Sequence, residues 1–150
     1  MQKENRSLKY CYYIYRVIVT KDRDDYTKGR IKGQILANKY AVPDIKRNDY
    51  NLVVDVHSNR GYYQEKLFVF SPIKQSESER IALQIKNRIP WLSYYVPPLL
   101  SEPTSGPYVT VPLIKSGIPA IVYEVYAYDS YSQILNYAQD FVKSVDEILI

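Results

Sequence analysis

Apolar and polar residues follow one another along the chain in segments that change between strand and helix periodicity. Runs rich in aromatic and β-branched residues predict strands at 10–20, 51–56, 65–71, 91–96 and 119–124. Apolar residues at helical spacing predict helices at 27–40, 76–89, 108–116 and 130–149, with Pro43 ending the first. This order predicts an α/β fold built on an open, mostly parallel sheet with helices on both faces.

Local signals set several ends of these elements. Ser76 and Glu79 have the spacing of a capping box, and Gly117 is placed to end the helix before it. Asp129 or Ser130 caps the last helix. Residues 97–107 hold four of the nine prolines, so we expect a loop there, with 101–107 on the rim of any site.

Composition narrows the class of protein. The 150 residues form one domain, and the net charge of +4 is modest and spread along the chain, which argues against nucleic-acid binding. A single cysteine, Cys11, excludes a disulfide within the chain. No apolar run reaches the roughly 18 residues of a membrane span, and no signal peptide is recognised. The compartment stays open.

Two predicted strands end in residues capable of chemistry. One is followed by His57 and the other ends in Glu124. If these strands are parallel neighbours, both side chains emerge at the same edge of the sheet. A neutral imidazole can bind zinc, and a carboxylate beside it can act as general acid or base. On spacing alone, an ordinary polar role for a lone histidine is the more common outcome.

Several motifs resemble zinc-dependent amide hydrolases. The matching segments are 17–22, Asp25, Arg30, Ala37-Asn38, 52–59 and 118–124 with the helix after it. The first five resemble the central stretch of N-acetylmuramoyl-L-alanine amidases, with Lys21 and Ser58 departing from the usual arginine and alanine. His57-Ser58 is also similar to the zinc carboxypeptidases. The resemblance implies a phosphorylase/hydrolase-like α/β fold and a peptide or cell-wall-type substrate.

Carried over by position, the resemblance makes His57 a zinc ligand and Glu124 the catalytic acid or base. Asn59 and Arg60, which follow the histidine, are candidate substrate-binding residues. Arg60 matches no motif, and a solvated loop charge is the more common role for such a residue. Zinc is the cofactor that the families imply.

Both families place a further histidine and a glutamate upstream, and no such motif precedes Tyr10. We therefore expect a partial zinc-hydrolase-like domain over residues 1–150, either a fragment or a degenerate domain, that is inactive as an isolated chain. The alternatives are a module that binds peptide or glycan without cleaving it, or an inactive remnant. Loss of the first part of such a fold leaves a sheet edge through which the chain could form a homo-oligomer.

Overall fold

The computed structural model describes residues 8–20, 25–98 and 105–148, which form a sheet with helices on both faces. In chain order the elements are α1 (Tyr26–Leu36), a π-helical turn (Ala37–Ala41), α2 (Val42–Lys46), β1 (Val53–Asn59), β2 (Phe68–Phe70), α3 (Glu77–Arg88), β3 (Ser93–Tyr94), α4 (Thr110–Lys115), β4 (Ala120–Tyr126) and α5 (Tyr131–Glu147). The predicted α/β class is confirmed.

The sheet is mixed. Its strand order is β1-β4-β2-β3. The pairs β1–β4 and β2–β3 are parallel, whereas β4 and β2 run antiparallel. The reversal follows from the connection between β1 and β2, residues 60–67, which contains no helix. A parallel return requires a long crossover, usually helical, and this short connection cannot provide one.

Side chains alternate between the two faces along a strand. In the central strand β4, those from Ala120 to Glu124 are buried on both faces. On one face, Ile121 and Tyr123 pack against α3 and α5 in the larger core cluster. On the other, Ala120 packs with residues of α2 and α4 in a smaller cluster. None of the described helices is both long and apolar enough to cross a membrane.

The predicted strand at 10–20 is wrong: residues 8–20 belong to no strand. Side-chain anchors fix this segment instead. The Asp146 carboxylate accepts hydrogen bonds from the main-chain N–H groups of Lys9 and Tyr10 and from the Tyr12 hydroxyl. Strand-forming residues make a strand only when a neighbour accepts their main-chain hydrogen bonds, and this segment has no ladder partner among the described residues.

The helical region does not end at Pro43, as the sequence predicts. It continues to Lys46 through the π-helical turn, and proline occupies the first turn of α2. Proline is tolerated at a helix start because the N–H that it lacks has no partner there. The π turn provides such a start inside a longer helical path.

The predicted helix ends are largely confirmed. Ser130 forms a full capping box with Gln133 at the start of α5. Ser76 caps α3 by accepting from the N–H of Glu79, but the Glu79 carboxylate binds the N–H of Gln75 rather than that of Ser76. Gly117 has a φ of 88° after α4, the left-handed conformation expected of a residue that ends a helix. Most of the predicted rim loop at 101–107 lies outside the described residues.

Candidate functional site

The two predicted site strands are parallel neighbours. In the β1–β4 ladder, His57 is paired with Glu124, and Asp55 is paired with Val122. Residues in register on adjacent strands point to the same face of a sheet, so the His57 and Glu124 side chains lie side by side. The prediction that they share one edge and one face of the sheet is confirmed.

His57 is held by a residue of its own strand. Its Nε2 lies 2.9 Å from Oδ1 of Asp55, two positions earlier and therefore on the same face. Burial lowers the pKa of His57. The hydrogen bond to Asp55 and the charges of Asp55 and Glu124 together raise it by more, so the net pKa is above 6.5. Asp55 thus fixes the ring and favours its protonated form.

Glu124 is a buried acid, with 7% of its surface exposed. Burial raises its pKa above 4.5, and the raising outweighs the opposite effects of His57, Asn59 and Arg30. In the ladder Glu124 faces Phe68, which is fully buried and excludes water on that side. Oε2 of Glu124 and Oδ2 of Asp55 are buried without a hydrogen-bond partner among the described residues. The site therefore carries two carboxylate oxygens open to a further donor.

Arg30 completes the charges of the site. It lies on α1, and its positive charge acts to lower the pKa of both His57 and Glu124, so it faces both groups. Sequence reasoning named Arg30 within the amidase-like stretch but gave it no place in the site. Helical periodicity assigns it to α1, whereas only the fold brings its charge near His57 and Glu124.

Asn59 and Arg60 occupy different surroundings. The amide of Asn59 donates to the carbonyl oxygens of Lys66 and Val125 and accepts from the N–H of Gly61, so it holds the turn after β1. Arg60 is exposed in that turn. Substrate binding by these two residues stays a prediction. The contacts of Asn59 hold the turn, and its hydrogen bond to Glu124 also links it to the site.

The residues present supply part of a zinc site. A ring nitrogen held by a carboxylate is the arrangement that commonly orients a histidine ligand, and with Nε2 donating to Asp55 the free nitrogen of a neutral His57 is Nδ1. A catalytic zinc requires about three protein ligands. Within the described ranges, no three histidine, cysteine or acidic side chains are placed to hold one ion. The described donors therefore do not form a zinc site by themselves.

Comparisons with known proteins do not assign a family to this chain. No model of a known protein family, no characterised protein and no solved structure matches this chain.

Proposed function

We propose that the face carrying Asp55, His57 and Glu124 performs the acid–base step of amide-bond hydrolysis in a peptide or cell-wall-type substrate. The observation that supports this most is Glu124, a buried carboxylate of raised pKa in register with a histidine that a second carboxylate holds. Buried acids with shifted pKa values are common among catalytic residues, because burial tunes them towards neutral pH.

In this proposal Glu124 takes a proton from a water molecule as its oxygen attacks the amide carbonyl carbon. A C–O bond forms, the C–N bond breaks, and the proton passes from Glu124 to the departing nitrogen. Protonated His57 and the guanidinium of Arg30 supply positive charge for the oxyanion. Asp55 acts through His57 as a positioning residue. Zinc, which the resemblance implies, has no step here because the described donors do not complete a site for it.

The experiment compares the native chain with Glu124→Gln on N-acetylmuramoyl-L-alanine peptides and N-acylated dipeptides. The assay is run without added metal, because the proposed step uses none, and again with zinc in large excess, where mass action fills a weak site. The matched control is Glu77→Gln, since Glu77 is an exposed acid on α3. Turnover that Glu124→Gln abolishes and Glu77→Gln retains supports the proposal and contradicts the expected inactivity.

An unchanged rate in Glu124→Gln contradicts the proposal. So does the absence of turnover both without metal and in excess zinc when substrate still binds equally well to both proteins. That second result favours the alternative, a module that binds a peptide or glycan without cleaving it.

A further inference from the structure

A cavity of about 1230 Å³ separates the N-terminal segment 8–17 from the open edge of β1. Its walls are mainly apolar and come from the segment, from α1, the π-helical turn and α2, from β1 with the turn before it, and from α5. The residues that matter below are Tyr12, Ile14, Val54, Val56, Phe141 and Val145. At its far end the cavity reaches Asp55 and His57.

The β1 wall of the cavity carries main-chain groups that the sheet leaves unused. The N–H of Val53 donates to the carbonyl of Pro119, and the carbonyl of Asn59 accepts from Ala127. In a parallel ladder, alternate residues bond to the same neighbour. The N–H and C=O groups of Val54, Val56 and Ser58 therefore point away from β4, towards the cavity.

The opposite wall is a segment with a strand-type sequence and no strand partner in the described part of the chain. Anchors at Asp146 on one side and Asp44 on the other hold it away from β1, the second through the Tyr15 hydroxyl. Ile14, between these anchors, is 91% exposed. The open edge of β1 and the segment with a strand-type sequence thus face each other across the cavity.

We propose that this cavity is a slot for one extended segment of another polypeptide, which pairs with β1 as an added strand. The unused groups of Val54, Val56 and Ser58 supply the main-chain hydrogen bonds, as in other cases of strand addition to a sheet edge. Phe141 and Val145 on the α5 side select apolar side chains at alternate positions of the guest. Binding in this slot is measured without hydrolysis, so the result of the test does not depend on the function proposed above.

The geometry favours a single strand over a second copy of this chain. An edge strand of another copy brings its own sheet and helices, and the segment 8–17 stands where these would have to lie. Residues 1–7, Met-Gln-Lys-Glu-Asn-Arg-Ser, are polar and do not match the apolar walls. An isolated, extended peptide with alternating apolar residues meets both conditions.

The test uses the peptide acetyl-Lys-Thr-Val-Thr-Val-Thr-Val-Lys-amide and the full 150-residue chain. We expect saturable binding by calorimetry, with slower hydrogen exchange at the amides of Val54, Val56 and Ser58. The same peptide N-methylated at alternate residues lacks the donors for pairing. It should bind at least about tenfold more weakly, the effect of losing roughly 1.4 kcal/mol of hydrogen bonding.

A pair of variants tests the same edge from the protein side. Val56→Pro removes one outward N–H at an edge position where proline is tolerated, and Val56→Thr keeps that N–H. Weaker binding to the first variant alone supports the slot. Equal binding of both peptides overturns it, as does the lack of amide protection at millimolar peptide. A dimer by light scattering that protects these amides without peptide also overturns it, because the guest is then a second copy. If Val56→Pro does not fold, the N-methylated peptide still decides.

Discussion

Glu124 places a carboxyl group where the same strand otherwise buries hydrocarbon. Its neighbours on β4, from Ala120 to Tyr123, are all buried. Burying a charge costs free energy that an apolar residue at this position avoids. Because His57 and Arg30 offset only part of that cost, the pKa of Glu124 stays raised. Local departures from favourable packing are expected where a residue serves function rather than stability.

The first prediction concerns stability against pH. Burial raises the pKa of Glu124 above 4.5, so the folded chain holds a proton that the unfolded chain has lost. This stabilisation is complete below about pH 4.5 and falls as the pH rises through the folded pKa. The raised pKa of His57 adds a loss of the same sign above pH 6.5. Glu124→Gln should flatten the fall in the free energy of unfolding that begins above about pH 4.5, measured in urea.

Glu77→Gln is the control for this titration. The hydrogen bond to Arg80 lowers the pKa of Glu77, so this acid does not titrate in the same range. The control should keep the native slope. A native slope in Glu124→Gln would show that Glu124 is not the titrating group.

The second prediction concerns the protonation of His57, the only histidine in the chain. Burial lowers its pKa, and the hydrogen bond and charge of Asp55 are the largest opposing influences. Asp55→Asn should therefore lower the pKa of His57, as read from the single imidazole signal in a proton NMR titration. Asp44→Asn removes a carboxylate that binds Tyr15 and Arg47, and it should leave that signal unchanged. A midpoint that does not move in Asp55→Asn contradicts the contact.

At the scale of single residues, the sequence predicts the positions of His57 and Glu124 because both follow apolar strand patterns. Asp55 and Arg30 escape it for different reasons. Asp55 stands within a strand, and only the two-residue repeat of side chains turns it towards His57. Arg30 comes from a helix whose packing the periodicity does not specify. Strand alternation could have indicated Asp55, whereas nothing in the local sequence indicates the approach of Arg30.

At the scale of elements, predictions succeed where a segment is sufficient to itself and fail where it depends on a neighbour. The α5 helix has its apolar stripe and its cap within its own sequence, and it forms as expected. Residues 10–20 have the sequence of a strand but no partner to pair with in ranges 8–20, 25–98 and 105–148. At Pro43 the sequence predicts the end of a helix, but a π-helical turn precedes it and places the proline in the first turn of α2. The pairing of a strand and the continuation of a helix past a proline depend on the fold rather than on the segment alone.

The third prediction concerns the start of α5, which carries the Asp146 anchor near its other end. The Ser130 hydroxyl accepts from the N–H of Gln133, and the side-chain oxygen of Gln133 accepts from the N–H of Ser130. Ser130→Ala should lower the free energy of unfolding by about 1 kcal/mol, the usual cost of losing an N-cap. Ser130→Thr keeps the hydroxyl and should stay within a few tenths of a kcal/mol of the native value. Equal losses in both variants, measured in urea, would argue against the cap.

At the scale of the whole molecule, one face of the sheet carries most of the apolar core and the other carries the candidate site. The face under α3 and α5 holds the larger hydrocarbon cluster. The other face holds the smaller cluster, and Asp55, His57 and Glu124 lie on it towards the ends of β1 and β4. Sites are held best by rigid elements whose own packing is complete elsewhere. Substitutions on the first face are therefore expected to unfold the chain, and those at the strand ends to change its titration.

The last prediction concerns zinc. Tight zinc sites use several histidine or cysteine ligands, and this chain has one of each, with Cys11 on the N-terminal segment and His57 on β1. Carboxylates alone favour harder ions. Calorimetric titration should therefore give a zinc Kd no tighter than about 10 µM. His57→Gln should weaken binding further, while Asp44→Asn, whose carboxylate binds Tyr15 and Arg47, should not. A nanomolar Kd at one ion per chain would mean that ligands outside the described residues, or from a second chain, complete the site beside His57.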